Sequence, residues 1–258
     1  MQQKRPGFPA KMIWPQGAAP KQAMPAGAVR RDGSAAMPQG LGLDSAAVRA
    51  RMVQRLAASG ISSTAVLTAM EFVERHRFVD SALVNQAYED TSLPIGLGQT
   101  ISKPSVVARM AELLLGAEGA RANGLGRVLE IGTGCGYQAA VLGRISREVY
   151  TIERLRALHE RARDNLRPWR LPNVHLILGD GMAGYAKGAP YAGIISAAGG
   201  DDLPAAWCEQ LAVGGRLVAP TVGPGGQQVL LVIDKTTHGL KQTVLEPVHF
   251  VPLKSGIA

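Results

Sequence analysis

The sequence predicts an α/β fold built on a doubly wound, mostly parallel sheet of seven strands, with additional helices on its N-terminal side. Seven short runs rich in β-branched residues follow one another after residue 127, and helical stretches separate the earlier runs. A glycine-rich turn joins the first run to the helix that follows it. This alternation is typical of Rossmann-like domains, in which helices connect parallel strands.

The composition separates a basic N-terminal segment from the rest of the chain. Residues 1–43 contain six lysines or arginines against one aspartate, and they carry most of the net charge of +8 of the 258-residue chain. The segment is rich in Pro, Gly, Gln, Ala and Met and has no helical or strand periodicity, so it cannot bury enough apolar surface to offset its ordering entropy. We predict a disordered tail over 1–43, with weak tethering of acidic partners as an alternative role, and one globular domain over 44–258.

Hydropathy and cysteine spacing disfavour several classes of protein. The chain has no run of about 18 apolar residues, and its N-terminus lacks the apolar segment of a secretory signal, so we expect a cytoplasmic protein without a membrane partner. Cys135 and Cys208 lie far apart and outside any CxxC or His-rich spacing. We therefore predict two free thiols and no metal site.

Two helices are predicted directly after the basic segment. The first can be capped by Asp44 or Ser45 and ended by Gly60, and the second can begin at Ser62 or Ser63. Both carry apolar side chains at helical spacing, which indicates a face buried in the core. These side chains are Val48, Met52 and Leu56 in the first helix and Val66, Leu67, Met70 and Val73 in the second.

A third helix and the strands complete the predicted order of elements. The third helix begins at Pro104, a favourable first-turn residue, and runs to Gly116, and later helices are predicted over 155–167 and 204–211. The last two strands have no long helix between them, so we expect an antiparallel hairpin at one edge of the sheet. The predicted strands are VLEI at 128–131, VYTI at 149–152, VHLIL at 174–178, GIIS at 193–196, RLVAP at 216–220, VLLVI at 229–233 and VHFVPL at 248–253.

The turn after the first strand predicts a ligand site. The string VLEIGTGCGYQAA places Gly132, Gly134 and Gly136, with Thr133 between the first two, where the strand passes into a helix. Glycine lets a backbone turn tightly and approach a ligand, because no Cβ stands in the way. Tight packing of the helix on the strand is the alternative reason for these glycines.

Acidic residues at the ends of three successive strands support the ligand interpretation. Glu130 ends the first strand, Glu153 the second, and Asp180, followed by Gly181, the third. Carboxyl ends of parallel strands meet at one crevice, where Glu153 can accept hydrogen bonds from ribose hydroxyls and Asp180 with Gly181 can contact an adenine ring. These positions predict a nucleoside-containing ligand.

The acidic character of this crevice favours S-adenosylmethionine over NAD. The glycine spacing departs from GxGxxG, and a cationic sulfonium suits acidic surroundings better than a pyrophosphate does. Glu130 would attract that charge. An NAD-dependent oxidoreductase is the alternative, although we identify no group that would serve a hydride-transfer site.

The segment before the third helix predicts an acceptor site. Thr100 and Ser102 directly precede Pro104, so their hydroxyls and the free N–H groups of the helix start face one small space. A helix N-terminus attracts anions, and a carboxylate is an anion. Simple N-capping of the helix is the alternative role for these hydroxyls.

From about Asp44 to Leu253 the chain resembles the protein L-isoaspartate (D-aspartate) O-methyltransferase family. The most specific string is AYEDTSLPIGLGQTISKP, and GTGCGY alone is not specific. The strings that carry the resemblance are AYEDTSLPIGLGQTISKP, VLEIGTGCGYQAAVL, VYTIE, GDGMAGY, APYAGIISAA, QLAVGGRLVAP and FVPL.

The resemblance implies a class I methyltransferase that uses S-adenosylmethionine to methylate the free carboxylate of isoaspartyl residues in damaged proteins and peptides. Repair would then proceed through a succinimide. Ser102 would correspond to the active-site serine. The glycine loop, Glu153, Asp180 and Gly181 would correspond to cofactor contacts, and Gln227 would lie near them. We expect a monomer without a stable nucleic-acid partner.

Several positions depart from the family pattern. Lys103 stands where the family more often has Gln or Ala, and Ser105 where it has an aromatic residue or His. Gly199 and Gly200 replace an alanine-proline pair, and APTVG is one residue longer than the familiar PVG. These departures affect the acceptor pocket and leave the cofactor motifs intact.

Two further alternatives differ in substrate or in activity. A nucleic-acid methyltransferase would account for the basic tail and for six arginines over 154–170, but the place of the Asn-Pro-Pro-aromatic string that holds a target nitrogen reads SAAGGDD. Asp201 and Asp202 there would repel phosphate. A noncatalytic binding protein that kept the fold is the other alternative, because a fold does not prove activity.

Overall fold

A computed structural model of the protein describes residues 46–223 and 225–258. The predicted disordered tail over 1–43 and the predicted caps Asp44 and Ser45 lie outside the described residues. Among the described residues, no helix has the length and apolar character needed to cross a bilayer.

The three predicted N-terminal helices are confirmed. They are α1 (Ala46–Ala58), α2 (Thr64–Phe72) and α3 (Pro104–Leu115). Ser63 caps α2 by accepting a hydrogen bond from the N–H of Val66, and Pro104 occupies the first turn of α3. Glu112 of α3 accepts hydrogen bonds from the backbone N–H groups of Ser62 and Ser63 at 2.7 Å each, which fastens the start of α2 to α3.

A small hairpin precedes α3 and lies apart from the main sheet. Its strands are β1 (Leu93–Gly96) and β2 (Gln99–Ile101), which pair antiparallel. Leu97 and Gly98 form the turn with φ of 53° and 70°. The hairpin carries the chain back so that Thr100 and Ser102 arrive at the start of α3.

The main sheet has seven strands in the order β5-β4-β3-β6-β7-β8-β9. The strands from β3 to β7 are parallel to one another, and helices lie in the connections between them. The predicted doubly wound, mostly parallel sheet is therefore confirmed. The elements are α4 (Glu118–Asn123), β3 (Leu125–Ile131), α5 (Tyr137–Ile145), β4 (Ser146–Glu153), α6 (Arg156–Leu166), β5 (Val174–Leu178), β6 (Tyr191–Ser196), α7 (Ala205–Gln210), β7 (Leu211–Val222), β8 (Gln228–Thr236) and β9 (Gly239–Pro247).

The edge hairpin exists, but the prediction of its last strand at 248–253 is wrong. The strand that pairs with β8 is β9, and the chain turns back after Thr236 at Gly239, whose φ is +128°. Most of β9 is exposed, and its sequence GLKQTVLEP mixes polar and apolar residues, so it lacks the β-branched run used to find strands. The apolar string VHFVPL crosses the carboxyl ends of the strands instead, where Phe250 donates its N–H to the Gln228 side chain.

Both faces of the sheet are covered, and β3 shows this directly. Val128 packs in a cluster with Met110 and Leu114 of α3, whereas the next residue, Leu129, packs in a cluster with the fully buried Trp207 of α7. Successive side chains of a strand point to opposite faces, so helices lie on both sides. The carboxyl ends of the strands remain open to ligands.

One guanidinium ties α3 to the sheet. Arg216 on β7 donates from Nε and Nη2 to the two carboxylate oxygens of Asp234 on β8, at 2.7 and 2.9 Å. Its Nη1 donates to the Leu113 carbonyl of α3 at 2.9 Å. Both side chains are mostly shielded from water, with 17% and 26% exposed. Two parallel hydrogen bonds with charged partners are strong and geometrically specific.

Arg216→Ala is expected to lower the free energy of unfolding by about 1–3 kcal/mol, because it leaves the shielded Asp234 carboxylate and the Leu113 carbonyl without their donor. Urea unfolding followed by circular dichroism measures the change. Arg121→Ala removes an exposed arginine of α4 and serves as the control, for which we expect less than about 0.5 kcal/mol. Equal stability of the two variants would contradict the role of Arg216.

Candidate active site

One candidate site is a cleft at the carboxyl ends of β3, β4 and β6. The chain winds from β3 to β4 and β5 in one direction and to β6 and β7 in the other, so the strand order reverses at β3. Ligands bind at such reversal points in open α/β sheets. The cleft encloses about 670 Å³, including the part open to solvent. Its lining comprises Ile95, Gln99, Thr100, Ile131, Gly132, Gly134, Ile152, Glu153, Arg154, Leu155, Leu158, Gly181, Ala197, Ala198, Val251, Pro252, Leu253 and Lys254.

The glycine turn forms one wall of this cleft. Gly132, Gly134 and Gly136 have φ of +88°, +56° and +91°, values that residues with a Cβ rarely adopt. A Cβ at Gly134 would also lie 3.2 Å from Ile95 of the β1–β2 hairpin. The turn is pinned because the carbonyl of Ile152 accepts from the N–H groups of Gly132 and Thr133, at 2.9 and 3.2 Å.

Glu153 lies at the end of β4 and holds the glycine turn from the other side. Its Oε2 accepts from the N–H of Gly134 and its Oε1 from the N–H of Leu155, both at 2.9 Å. The side chain is only 5% exposed, yet it lines the cleft. Each carboxylate oxygen has a second lone pair, so Glu153 can still accept hydrogen bonds from two ligand hydroxyls.

Glu130 is buried beneath the turn. Thr151 donates to Glu130 Oε2 at 2.6 Å, and the Thr133 hydroxyl is 2.6 Å from that of Thr151. When Glu130 is ionised, Thr151 uses its only proton on Glu130, so Thr133 donates to Thr151. All three side chains are buried. The other carboxylate oxygen, Oε1, has no hydrogen-bond partner among the described residues.

This burial changes the protonation of Glu130. Burial raises the pKa of the Glu130 carboxyl from 4.5 to about 8, and the negative charge of Glu153 adds to the rise. The hydrogen bond from Thr151 and the nearby Gln138 amide oppose it. A nearby cation would favour the ionised form. Glu130 is thus a buried acid whose charge depends on what occupies the cleft above it.

Asp180 and Gly181 are placed by contacts with the C-terminal segment and with β3. Asp180 accepts from the N–H of Met182 at 2.9 Å and from the N–H of Gly256 at 2.7 Å, and its side chain does not line the cleft. Gly181 does line it. A Cβ at Gly181 would lie 2.5 Å from Ile131 Cγ2, so close packing on β3 requires glycine at this position.

A second cavity adjoins the cleft and contains the predicted acceptor residues. We call it the acceptor groove, and it shares Thr100, Ala197 and Val251 with the cleft. The hydroxyl of Ser102 is half-buried in it and forms no hydrogen bond with another described residue. The lining comprises Thr91, Ser92, Thr100, Ser102, Lys103, Val106, Ala197, Gln227, Pro247, Val248, His249, Phe250 and Val251.

The start of α3 is anchored by Asp90. Its two carboxylate oxygens accept from the N–H and the hydroxyl of Ser105, each at 2.8 Å. The sequence predicts that the free N–H groups at the start of α3 face a substrate carboxylate. Asp90 already occupies one of them, the N–H of Ser105. Ser102 therefore keeps a free hydroxyl, while the internal carboxylate of Asp90 satisfies part of the helix start.

Gln227 and Gln228 have different positions. Gln227 lines the acceptor groove and does not line the cleft. Gln228 accepts from the N–H of Phe250 at 2.7 Å and was missed by sequence reasoning. It also explains a departure from the family pattern, because a Cβ at Gly199 would lie 2.7 Å from the Gln228 amide nitrogen.

Arg75 is another residue that the sequence did not reveal. It is fully buried, and its Nη2 donates to the carbonyl of Thr91 at 3.3 Å. Its guanidinium lies 4.9 Å from the ring centroid of Tyr137, at the start of α5. Burial lowers the pKa of Arg75, and the Tyr137 side chain opposes that change. Arg75 thus connects the acceptor groove to the helix that follows the glycine turn.

The structure brings the predicted residues together in two adjoining cavities. Gly132, Gly134, Glu153 and Gly181 line the cleft, and Thr100 lines both cavities. Glu130, Thr133, Gly136 and Asp180 support the cleft from outside its lining, whereas Ser102 and Gln227 line the groove. Within the described part of the chain, no group of three or more His, Cys, Asp or Glu side chains could hold a metal ion.

Comparison with known sequences identifies a family. The model of the family described as protein-L-isoaspartate(D-aspartate) O-methyltransferase matches residues 47–258. A protein-L-isoaspartate O-methyltransferase of Methylibium petroleiphilum is 59% identical over 226 residues, covering 87% of this chain and 83% of the relative. One of Leptothrix cholodnii is 57% identical over 240 residues, covering 92% and 84%.

Solved structures agree with the sequence comparison. A protein-L-isoaspartate O-methyltransferase superimposes with a TM-score of 0.71 at 28% identity, covering 81% of this chain and 67% of the other. A Plasmodium falciparum protein of similar description, solved with S-adenosyl-L-homocysteine, gives a TM-score of 0.68 at 23% identity. It covers 80% of this chain and 98% of the other and supports the fold alone.

The burial of Glu130 predicts a pH dependence of stability in the absence of ligand. Its folded-state pKa of about 8 exceeds its ordinary value of 4.5, so the folded protein holds the proton that the unfolded chain releases between these values. Folding stability therefore falls as the pH rises through this window. Glu130→Gln removes the effect. The stability of Glu130→Gln relative to the unsubstituted protein is expected to be higher at pH 8 than at pH 5 by more than about 1 kcal/mol.

Urea unfolding of both proteins at pH 5 and pH 8 measures this difference. Asp164→Asn serves as a control, because Asp164 is an exposed carboxylate of α6, with 71% of its side chain exposed. A difference between Glu130→Gln and the unsubstituted protein that stays constant with pH would show that Glu130 is ionised throughout.

Proposed function

This chain belongs to the protein-L-isoaspartate(D-aspartate) O-methyltransferase family, and we propose that its Ser102 holds the acceptor carboxylate beside the cofactor cleft. The enzyme transfers a methyl group from S-adenosylmethionine to the free carboxylate of L-isoaspartyl residues in damaged proteins, which begins their repair. The observation that carries the proposal is the unpaired Ser102 hydroxyl, which lies in a groove that opens into the cleft.

The residues of the cleft fit S-adenosylmethionine. The positive-φ glycine turn leaves space that a Cβ would fill, and Glu153 retains free lone pairs for ribose hydroxyls. Glu130, whose Oε1 has no partner among the described residues, would ionise when a cationic ligand binds and then supply negative charge below it. In this proposal Gly132, Thr133, Gly134 and Gly136 shape the turn, and Asp180 and Gly181 form the adenine side.

The bound cofactor supplies an electrophilic methyl group carried on a positively charged sulfur. The substrate supplies a carboxylate that is already ionised at neutral pH, so no side chain has to act as a strong general base. What the protein must provide is orientation, which contributes up to about 7–11 kcal/mol in favourable cases. Ser102 donates a hydrogen bond to the carboxylate, and Thr100 completes the wall between the two cavities.

Rigid support explains how two short side chains can orient the substrate. The β1–β2 hairpin fixes Thr100 at its exit, and Asp90 fixes the start of α3 through Ser105. Gln227 lies across the groove and is a candidate contact for the peptide or for the methionine end of the cofactor. We assign residues 44–258 to the catalytic domain, which agrees with the family match over 47–258.

The remaining parts of the proposal rest on the sequence. Isoaspartyl proteins and peptides are the partners implied by the family. We propose a monomer in the cytoplasm that has no stable nucleic-acid partner. The string SAAGGDD after β6 supports the last point, because Asp201 and Asp202 would repel phosphate.

The activity is tested with methyl-labelled S-adenosylmethionine and two peptides that differ only in an aspartyl or an isoaspartyl linkage. Base-labile methyl ester is expected on the isoaspartyl peptide alone, because a normal aspartyl carboxylate does not reach the same position relative to the backbone. Ester on neither peptide, with cofactor still bound in an equilibrium dialysis control, would contradict the proposed acceptor and would direct the search to RNA.

Ser102→Ala is expected to lower kcat/KM for the isoaspartyl peptide by about 10- to 100-fold, since a hydrogen bond to a charged group is lost. The Kd for S-adenosylmethionine, measured by calorimetry, should stay within about twofold, because Ser102 does not line the cleft. Ser81→Ala, at an exposed serine that lines neither cavity, is the control. Equal losses of turnover and cofactor binding would contradict the assigned role.

A further inference from the structure

The ionisable side chains that line the acceptor groove are all basic. Its lining contains one lysine, Lys103, and one histidine, His249, and no aspartate or glutamate. Both side chains are exposed to the open groove. Asp201 and Asp202 line neither the groove nor the cleft. A peptide that enters the groove therefore meets positive charge and hydrogen-bond donors without a competing carboxylate.

The two carboxylates that directly precede lining residues have hydrogen-bond donors of their own. Asp90, which precedes the lining residue Thr91, accepts two hydrogen bonds from Ser105 at 2.8 Å. Glu246, which precedes the lining residue Pro247, accepts from Arg109 Nε at 3.1 Å. Neither carboxylate forms an ion pair with Lys103, so its ammonium group is available to a bound peptide.

Lys103 is well placed to act on a bound peptide. It lies between Ser102 and Pro104, so its position is fixed by the rigid start of α3. Its ammonium group forms no hydrogen bond or ion pair with another described residue. The helix dipole adds partial positive charge at the same end of α3. His249 on the opposite wall donates a hydrogen bond in either of its charge states.

We infer that the acceptor groove selects isoaspartyl peptides that carry additional negative charge beside the damaged residue, with Lys103 as the specificity-determining residue and His249 assisting it. The inference rests on the proposed function, since it assumes that isoaspartyl peptides occupy this groove. It adds a substrate class to that function: acidic sequence contexts around the isoaspartyl site.

A different role for Lys103 would leave a different kinetic signature. If Lys103 bound the reacting carboxylate itself, its loss would lower kcat/KM for every isoaspartyl peptide by the same factor. If it binds a flanking charge, its loss affects only the peptides that carry that charge. Binding to a remote part of the substrate should appear mainly in KM, with kcat little changed.

The test uses isoaspartyl peptides that differ only in one residue, Glu, Gln or Lys, placed next to the isoaspartyl residue on its N-terminal or C-terminal side. The unsubstituted enzyme is expected to prefer Glu over Gln by about two- to fivefold in kcat/KM on at least one side, the range for an exposed ion pair. Lys103→Gln should abolish that preference, and Lys103→Glu should reverse it. Raising the salt concentration to 1 M should weaken it, since exposed charges are screened.

Lys241→Gln provides the matched control, because it removes the same charge from an exposed residue of β9 that lines neither cavity. It should keep the full preference, and His249→Gln should reduce it partly. Equal kcat/KM for all flanking residues, or a Lys103→Gln effect independent of the flank, would overturn the inference and leave the proposed function intact. No methylation of any isoaspartyl peptide, the Gln series included, would overturn both.

Discussion

The turn from β3 into α5 is the constraint on which both cavities depend. Its backbone adopts positive φ at three glycines and is held from two sides, by the carbonyl of Ile152 and by the carboxylate of Glu153. Both partners come from β4, so the hydrogen bonding of β3 to β4 sets the position of the turn. The centre of the sheet therefore positions this wall of the cleft, and Glu153 belongs to the same hydrogen-bonded structure.

Two ionisable side chains, Glu130 and Arg75, are buried near this turn. Glu130 is fully buried below the turn, with a raised pKa and one unpartnered oxygen, and Arg75 is fully buried beside Tyr137. Burying such groups destabilises a fold unless they are paired. A cationic cofactor in the cleft would favour the ionised form of Glu130. The burial of the Glu130 carboxylate is unfavourable in the free protein and would become less unfavourable when a cationic cofactor fills the cleft.

The last part of the chain joins the cofactor cleft to the acceptor groove. Val251 lines both, and its carbonyl accepts from the N–H of Gly199 at 2.9 Å. Gln228 holds the same segment through Phe250, and glycine at 199 leaves room for the Gln228 amide. The departures at Gly199 and Gly200 therefore belong to the packing of this segment. The departure at Lys103 lies in the open groove, where it can affect substrate choice.

The sequence by itself determined the three N-terminal helices, six of the seven strands of the main sheet, the glycine turn, the acids at the ends of three strands and the serine before α3, because periodicity, caps and turn residues act locally along the chain. It misassigned the seventh strand, since exposed β9 lacks a β-branched run and the apolar string 248–253 crosses the strand ends instead. Only the tertiary structure decided that Asp90 occupies the start of α3, that Gln227 lies in the groove and that Arg75 is buried. These contacts join residues distant in sequence, and no local pattern encodes them.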